Sequence, residues 1–237
     1  MPGKINELLS NNVYPGRGII LGRSEDGSRA VILYFIMGRS ENSRNRVFAK
    51  TEDGIRTTAF DPAKLTDPSL IIYSPVRVYN GTTIVTNGIQ TDTIYEFLKN
   101  GWEYSNALCE WEFEPDPPIY TPRISGLVRR DGSYNLSIIK SAYGNPNCCC
   151  RYFFEYSLAV PGLGHYISTY KTDGNPPPSF EGEPLPITIE VTDGLESFAS
   201  SVWNALNDDN KVSLFAREIE IATGATHDLI VNKNQAG

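Results

Sequence analysis

The sequence predicts an α+β fold in which antiparallel sheets stack face to face with helices on their outer faces. Short apolar runs alternate with turn residues along most of the chain, two Asx-Gly pairs sit between such runs, and helical patterns are few. The 237 residues suffice for a sizeable core and fit one layered domain.

The strands are expected at Arg17–Arg23, Arg29–Gly38, Arg46–Thr51, Gly54–Phe60 and Leu70–Tyr73. Within the second, Ala30–Met37 is an unbroken apolar run rich in β-branched and aromatic residues, which predicts a strand buried on both faces. It is far shorter than the roughly 20 residues of a membrane helix. Val76–Tyr79 and Thr83–Thr86 flank Asn80-Gly81, and Arg123–Arg130 and Ser133–Ser141 flank Asp131-Gly132, so both pairs read as hairpins. Further strands are expected at Arg151–Val160, His165–Lys171, Ile187–Val191, Lys211–Ile219 and Asp228–Val231. Helices are expected from a Thr91-Asp92-Thr93 cap to Lys99, over Tyr104–Trp111, and over Leu195–Leu206, where apolar residues recur at three- and four-residue spacing. Five of the 16 prolines fall in 173–186, which predicts an irregular loop.

Lys and Arg number 21 against 28 Asp and Glu, a net charge of −7, which argues against bulk attraction to nucleic acid or anionic membranes. The chain starts without a basic region leading into an apolar run, so no secretory signal is expected. The cysteines, Cys109 and the run Cys148-Cys149-Cys150, give neither a disulfide framework nor zinc spacing, and point to reduced thiols in a cytoplasmic protein.

Three segments carry candidate chemistry. From Arg39 to Lys50 there are four basic residues against one acidic, a local +3 directly after the most apolar strand. Its guanidiniums, hydroxyls and amides suit a phosphate or carboxylate, although a solvated turn would have the same composition. Asn87-Gly88-Ile89-Gln90 feeds a helix N-terminus, where amides could meet an oxyanion or a polar heterocycle, or simply cap the helix. In Glu110-Trp111-Glu112-Phe113-Glu114-Pro115-Asp116, carboxylates alternate with aromatics. One of them could be desolvated enough for proton transfer, or all could form a solvated face. Arg123 could neutralise one of these acids or reach a substrate. Walker, dinucleotide and Gly-x-Ser-x-Gly motifs are missing, as are clustered metal ligands.

Tyr14-Pro15-Gly16-Arg17-Gly18, Gly38-Arg39-Ser40 with Arg44, Thr86-Asn87-Gly88 with Thr91-Asp92-Thr93-Ile94, Thr121-Pro122-Arg123-Ile124 and Ile167-Ser168-Thr169-Tyr170 occur in one order. Over roughly residues 14–220 the chain thereby resembles the archaeal-type IMP cyclohydrolase family. The resemblance implies a four-layer αββα sandwich of the N-terminal-nucleophile-hydrolase kind without a terminal nucleophile. Met1-Pro2 agrees, offering no Cys, Ser or Thr. It implies a single domain over 1–237, with 1–13 as an N-terminal extension and 173–186 as an inserted proline-rich loop. It further implies closure of the purine ring of 5-formamidoimidazole-4-carboxamide ribotide to give IMP and water, with no metal or other cofactor, in a homo-oligomer. An amide hydrolase or a non-catalytic nucleotide-binding protein on the same fold stays open beside it. Carried over by position, Arg39, Arg44 and Arg123 would bind substrate and Asn87 would contact its carboxamide or formyl group. Tyr73 would donate to the developing oxyanion. Glu112 would shuttle protons, with Glu110 and Glu114 as alternatives.

Overall fold

A computed structural model describes residues 2–66, 68 and 70–234. Met1, where the expected extension begins, and 235–237, where the expected domain ends, lie outside them. Among the described residues no helix is long and apolar enough to cross a membrane.

Two antiparallel sheets form the centre. In the first, β1 (Arg17–Arg23) and β2 (Arg29–Met37) lie between β10 (Leu163–Ser168) and β12 (Lys211–Glu220), with β11 (Leu185–Thr188) and β13 (Thr226–Asn232) at the edges. The second runs in chain order through β3 (Arg46–Thr51), β4 (Gly54–Ala59), β5 (Val76–Tyr79), β6 (Thr82–Thr86), β7 (Arg123–Val128), β8 (Tyr134–Ala142) and β9 (Asn145–Tyr156).

Alternation along β2 shows why these sheets stack. Ile32, Tyr34 and Ile36 face the second sheet and meet Ile55, Val85, Ile124 and Leu136 in the central core. Val31, Leu33, Phe35 and Met37 face the other way, onto α1 (Ile5–Ser10) and α5 (Leu195–Ala205). With both faces covered, the strand has no solvent side and its sequence shows no polar alternation. A third cluster joins α3 (Gln90–Lys99) and α4 (Tyr104–Cys109) to Ile84, Leu127 and Ile139 on the far face of the second sheet. The layers are therefore helix, sheet, sheet, helix.

Both hairpins form where the Asx-Gly pairs predict: Asn80 and Gly81 adopt φ of 47° and 76°, and Gly132 adopts 83°. Three expectations are corrected. Leu70–Tyr73 is a turn, not a strand; the amides of Ile71 and Ile72 bond back to the Pro68 carbonyl. Helix α3 starts at Gln90 without a side-chain cap, because the Thr91 hydroxyl is buried against Thr86 and the Gly88 carbonyl. Residues expected as an N-terminal extension include α1, whose Ile5 and Leu9 are part of the core. Besides these, the basic segment after β2 contains a short helix, α2 (Glu41–Arg44), closed by a reciprocal Ser40–Ser43 capping box.

Candidate active site

The first residues of β1, β3 and β7 are all arginines (Arg17, Arg46 and Arg123), and all three are buried at one end of the space between the sheets. Strands β1 and β7 lie in different sheets, so their approach there depends on the sandwich itself. Close packing makes room for the cations. Gly16 has φ of +79°, and a Cβ there would come within 2.2 Å of Thr169 Oγ1. At Gly88 a Cβ would meet Gln90 Oε1 at 2.6 Å and Arg123 Nη1 at 2.7 Å, so a glycine lets these two groups converge.

Arg123 is held on three sides. Its Nε donates to the Glu112 carbonyl at 2.8 Å, its Nη1 donates to Gln90 Oε1 at 3.1 Å, and the guanidinium lies 4.7 Å from the centre of the Trp111 ring. Nη1 also lies 3.8 Å from Glu114 Oε1. Glu114 is 2 % exposed. Burial raises its pKa above the ordinary carboxylate value, against the opposing pull of Arg17 and Arg123. Burial lowers the pKa of Arg123, with Glu114 acting in the other direction. For Arg17 burial also disfavours the charge, yet the Glu114 carboxylate and the facing tyrosines leave its pKa raised.

Asp116 accepts both the amide and the hydroxyl of Thr121, at 2.7 and 2.5 Å. The Thr121 hydroxyl in turn meets that of Tyr170 at 2.9 Å, and burial pushes the Tyr170 pKa up to about 12. Tyr170 stacks on Tyr14. On the inter-sheet side the hydroxyls of Tyr34 and Tyr73 are 2.9 Å apart, and burial holds the Tyr34 phenol well above its usual range.

Among the described residues, two donors in this cluster have no partner. Arg17 Nε and Arg46 Nη1 are buried without a hydrogen bond, and burial lowers the Arg46 pKa. A buried guanidinium remains charged, so an unpaired N–H on it costs free energy that an incoming anion or carbonyl oxygen would recover. Three guanidiniums (Arg17, Arg46, Arg123) face two carboxyl groups (Glu114, Asp116). The balance is positive, more so when Glu114 carries its proton. No group of three or more His, Cys, Asp or Glu among the described residues could hold a metal ion.

The residues singled out in the sequence divide unevenly. Tyr73 and Arg123 lie in the cluster. Arg39 borders it, 4.7 Å from the centre of the Tyr14 ring, and is held by Asp173 at 2.8 Å and the Gly174 carbonyl. Arg44 is exposed and donates to the Gly38 carbonyl of its own loop and to Asn210 Oδ1 in the turn before β12. Asn87 is buried beside the cluster, but its side chain is committed to protein: it donates to the Pro122 carbonyl and accepts from the Ile124 and Gln90 N–H groups. Glu112 contributes only its carbonyl; its side chain is exposed. Among the three alternating acids, the structure puts Glu114 beside the arginines because its amide is tied to the Thr121 carbonyl at 2.9 Å. The sequence assigns Arg17 and Tyr34 no role, and Arg46 enters only as one of the four basic residues between Arg39 and Lys50. Arg17 and Arg46 carry a signal, an arginine opening a strand, whereas Tyr34 lies unmarked within the apolar run of β2.

A family model described as "IMP cyclohydrolase-like protein" matches residues 14–224. The chain is 26 % identical over 212 residues to the IMP cyclohydrolase of Methanopyrus kandleri, covering 86 % of this chain and all of that one. It is 27 % identical over 163 residues to that of Methanosphaera stadtmanae, covering 67 % and 74 % of the two chains. For the Methanococcus aeolicus enzyme the identity is 26 % over 169 residues, covering 67 % and 75 %. With the match running from Tyr14, three residues before Arg17, to past the end of β12, the chain belongs to the IMP cyclohydrolase-like protein family.

Proposed function

We propose that this protein is an IMP cyclohydrolase, closing the ring of 5-formamidoimidazole-4-carboxamide ribotide to IMP and water, and that the cluster around Glu114 is where it does so. The observation that carries the reading is a buried carboxyl of raised pKa set among three guanidiniums, two of which keep an unpaired donor.

Ring closure asks for little besides placement and proton transfer. The carboxamide nitrogen forms a bond to the formyl carbon while the C=O electron pair moves onto oxygen. That oxygen takes one proton originating on the carboxamide nitrogen and a second originating on the formamide nitrogen. It then leaves as water as the C–N double bond forms. Holding the two groups in contact supplies much of the acceleration. Glu114, inclined to keep its proton, is suited to deliver it to the formyl oxygen and to take one back from nitrogen. Arg17 and Arg46 offer N–H groups to the 5′-phosphate or to a substrate oxygen, and the Tyr34–Tyr73 pair offers a hydroxyl to the developing oxyanion. Asn87, already committed, holds the loop that carries Gln90 and Arg123. The substrate is thus a small purine ribotide, and the four unpaired cysteines suit the reducing cytoplasm.

The test mixes purified protein with the formylated ribotide and follows the rise of IMP absorbance. Acceleration over the spontaneous reaction supports the reading. Ribotide binding without turnover would make the protein a nucleotide-binding module instead.

A further inference from the structure

Four strand edges bound the two sheets, and three of them are covered. On β11, the chain segment at Gly3 donates to the Pro186 carbonyl and accepts from the Thr188 amide. β3 and β13 shield one another: Asn232 accepts from the Phe48 amide and donates to its carbonyl. The fourth edge, β9, is the longest strand, at 12 residues, and no element pairs with its free side among the described residues. It is also aromatic there, with Tyr152 46 % and Phe153 42 % exposed. A long, open, apolar edge is a template for another strand.

We infer that β9 pairs antiparallel with β9 of a second copy of this chain, about a two-fold axis at Phe153. Charge selects this register. Arg151, Phe153 and Glu155 share one face, opposite Ile139, Ser137 and Asn135 of β8. Centring on Phe153 sets Arg151 of each chain directly across from Glu155 of the other, and Tyr152 across from Phe154 on the opposite face. Moving the centre to Tyr152 or Phe154 sets Arg151 opposite Phe153 or Ser157, and the complementarity is lost. Both charges are available. Glu155 is exposed and makes no ion pair among the described residues, and Arg151 spends Nε and Nη2 on the Leu108 and Trp111 carbonyls, leaving Nη1. The paired chains would share a continuous sheet of fourteen strands, twice the seven of one chain, with the α3–α4 layers on the same side.

Light scattering and sedimentation of the full chain test this. The wild type is expected above the 26.3 kDa of one chain. Glu155→Lys alone, and Arg151→Glu alone, set like charges across the axis twice and are expected to weaken association by about tenfold or more. Mixed in equal amounts, the two variants restore complementary pairs and should reassociate. Independently of any variant, hydrogen exchange of the wild type should show β9 amides growing more protected as protein concentration rises. A wild type that stays at 26.3 kDa overturns the proposal. So does a Glu155→Lys variant with the wild-type mass and dissociation constant, or folded variants that fail to recombine.

Discussion

The carboxyl of Glu114 lies 3.8 Å from the guanidinium of Arg123, and the two residues are only 2 % and 4 % exposed. Neither side chain would be stable there alone: removing one partner of a buried ion pair typically costs about 3–5 kcal/mol, because the other is left charged and unsolvated. Their pKa values are displaced by burial toward the neutral forms, Glu114 up and Arg123 down. The rise at Glu114 is what suits that carboxyl to moving a proton, while the Arg123 guanidinium stays charged.

The raised pKa has a consequence for stability. Below the ordinary value of 4.5, Glu114 is protonated in both the folded and unfolded chain. Between that value and its folded pKa only the folded chain keeps the proton, so the unfolding free energy falls as pH rises, by at most about 1.4 kcal/mol per pH unit. Above the folded pKa the effect levels off. Glu114→Gln has no such titration. Denaturant unfolding of the two proteins across this range should therefore show the wild type losing stability relative to the variant with rising pH. A difference independent of pH would mean that Glu114 titrates normally.

Arg46 and Arg44 separate buried from solvated cations. Arg46→Gln removes a buried charge with an unpaired donor and should weaken IMP binding by about 2–5 kcal/mol. Arg44→Ala, at the surface, should change it by less than about 0.5 kcal/mol. Calorimetric titration of folded variants with IMP reads both. The reverse order would return the anion site to the exposed turn.

The tyrosine pair predicts non-additive stability. Tyr73→Phe leaves the Tyr34 hydroxyl buried without its 2.9 Å partner and should cost about 1–3 kcal/mol. Adding Tyr34→Phe removes the stranded group, so the double variant should lose less than the sum of the single losses. Strict additivity in a denaturation cycle would show that the hydroxyls do not depend on each other.

Much of the fold is legible in local sequence. The apolar run of β2 reflects burial on two faces, and the two Asx-Gly hairpins reflect backbone angles that these residues tolerate. Helix α1 escaped because six residues with two inward apolar side chains leave little periodicity. The site was legible by segment more than by residue. Glu110, Glu112 and Glu114 look alike in a run of alternating acids, and what distinguishes Glu114 is its amide bond to Thr121 and its proximity to Arg17, on a strand of the other sheet. Likewise Arg39, Arg44 and Arg46 form one basic segment in the sequence. The capping box of α2 and the start of β3 expose Arg44 and bury Arg46. Tyr34 was hidden by its surroundings, one aromatic among apolar residues, until the second sheet brought Tyr73 to it.

The central claim, that the Glu114 cluster closes the purine ring, is tested most directly by comparing wild type, Glu114→Gln and Glu112→Gln in single-turnover cyclisation of the formylated ribotide. IMP binding is measured alongside. The account predicts that Glu114→Gln loses about 100- to 10,000-fold in rate while still binding IMP, and that Glu112→Gln keeps the wild-type rate. Cyclisation by Glu114→Gln at the wild-type rate, or loss of rate on changing Glu112 alone, would contradict it.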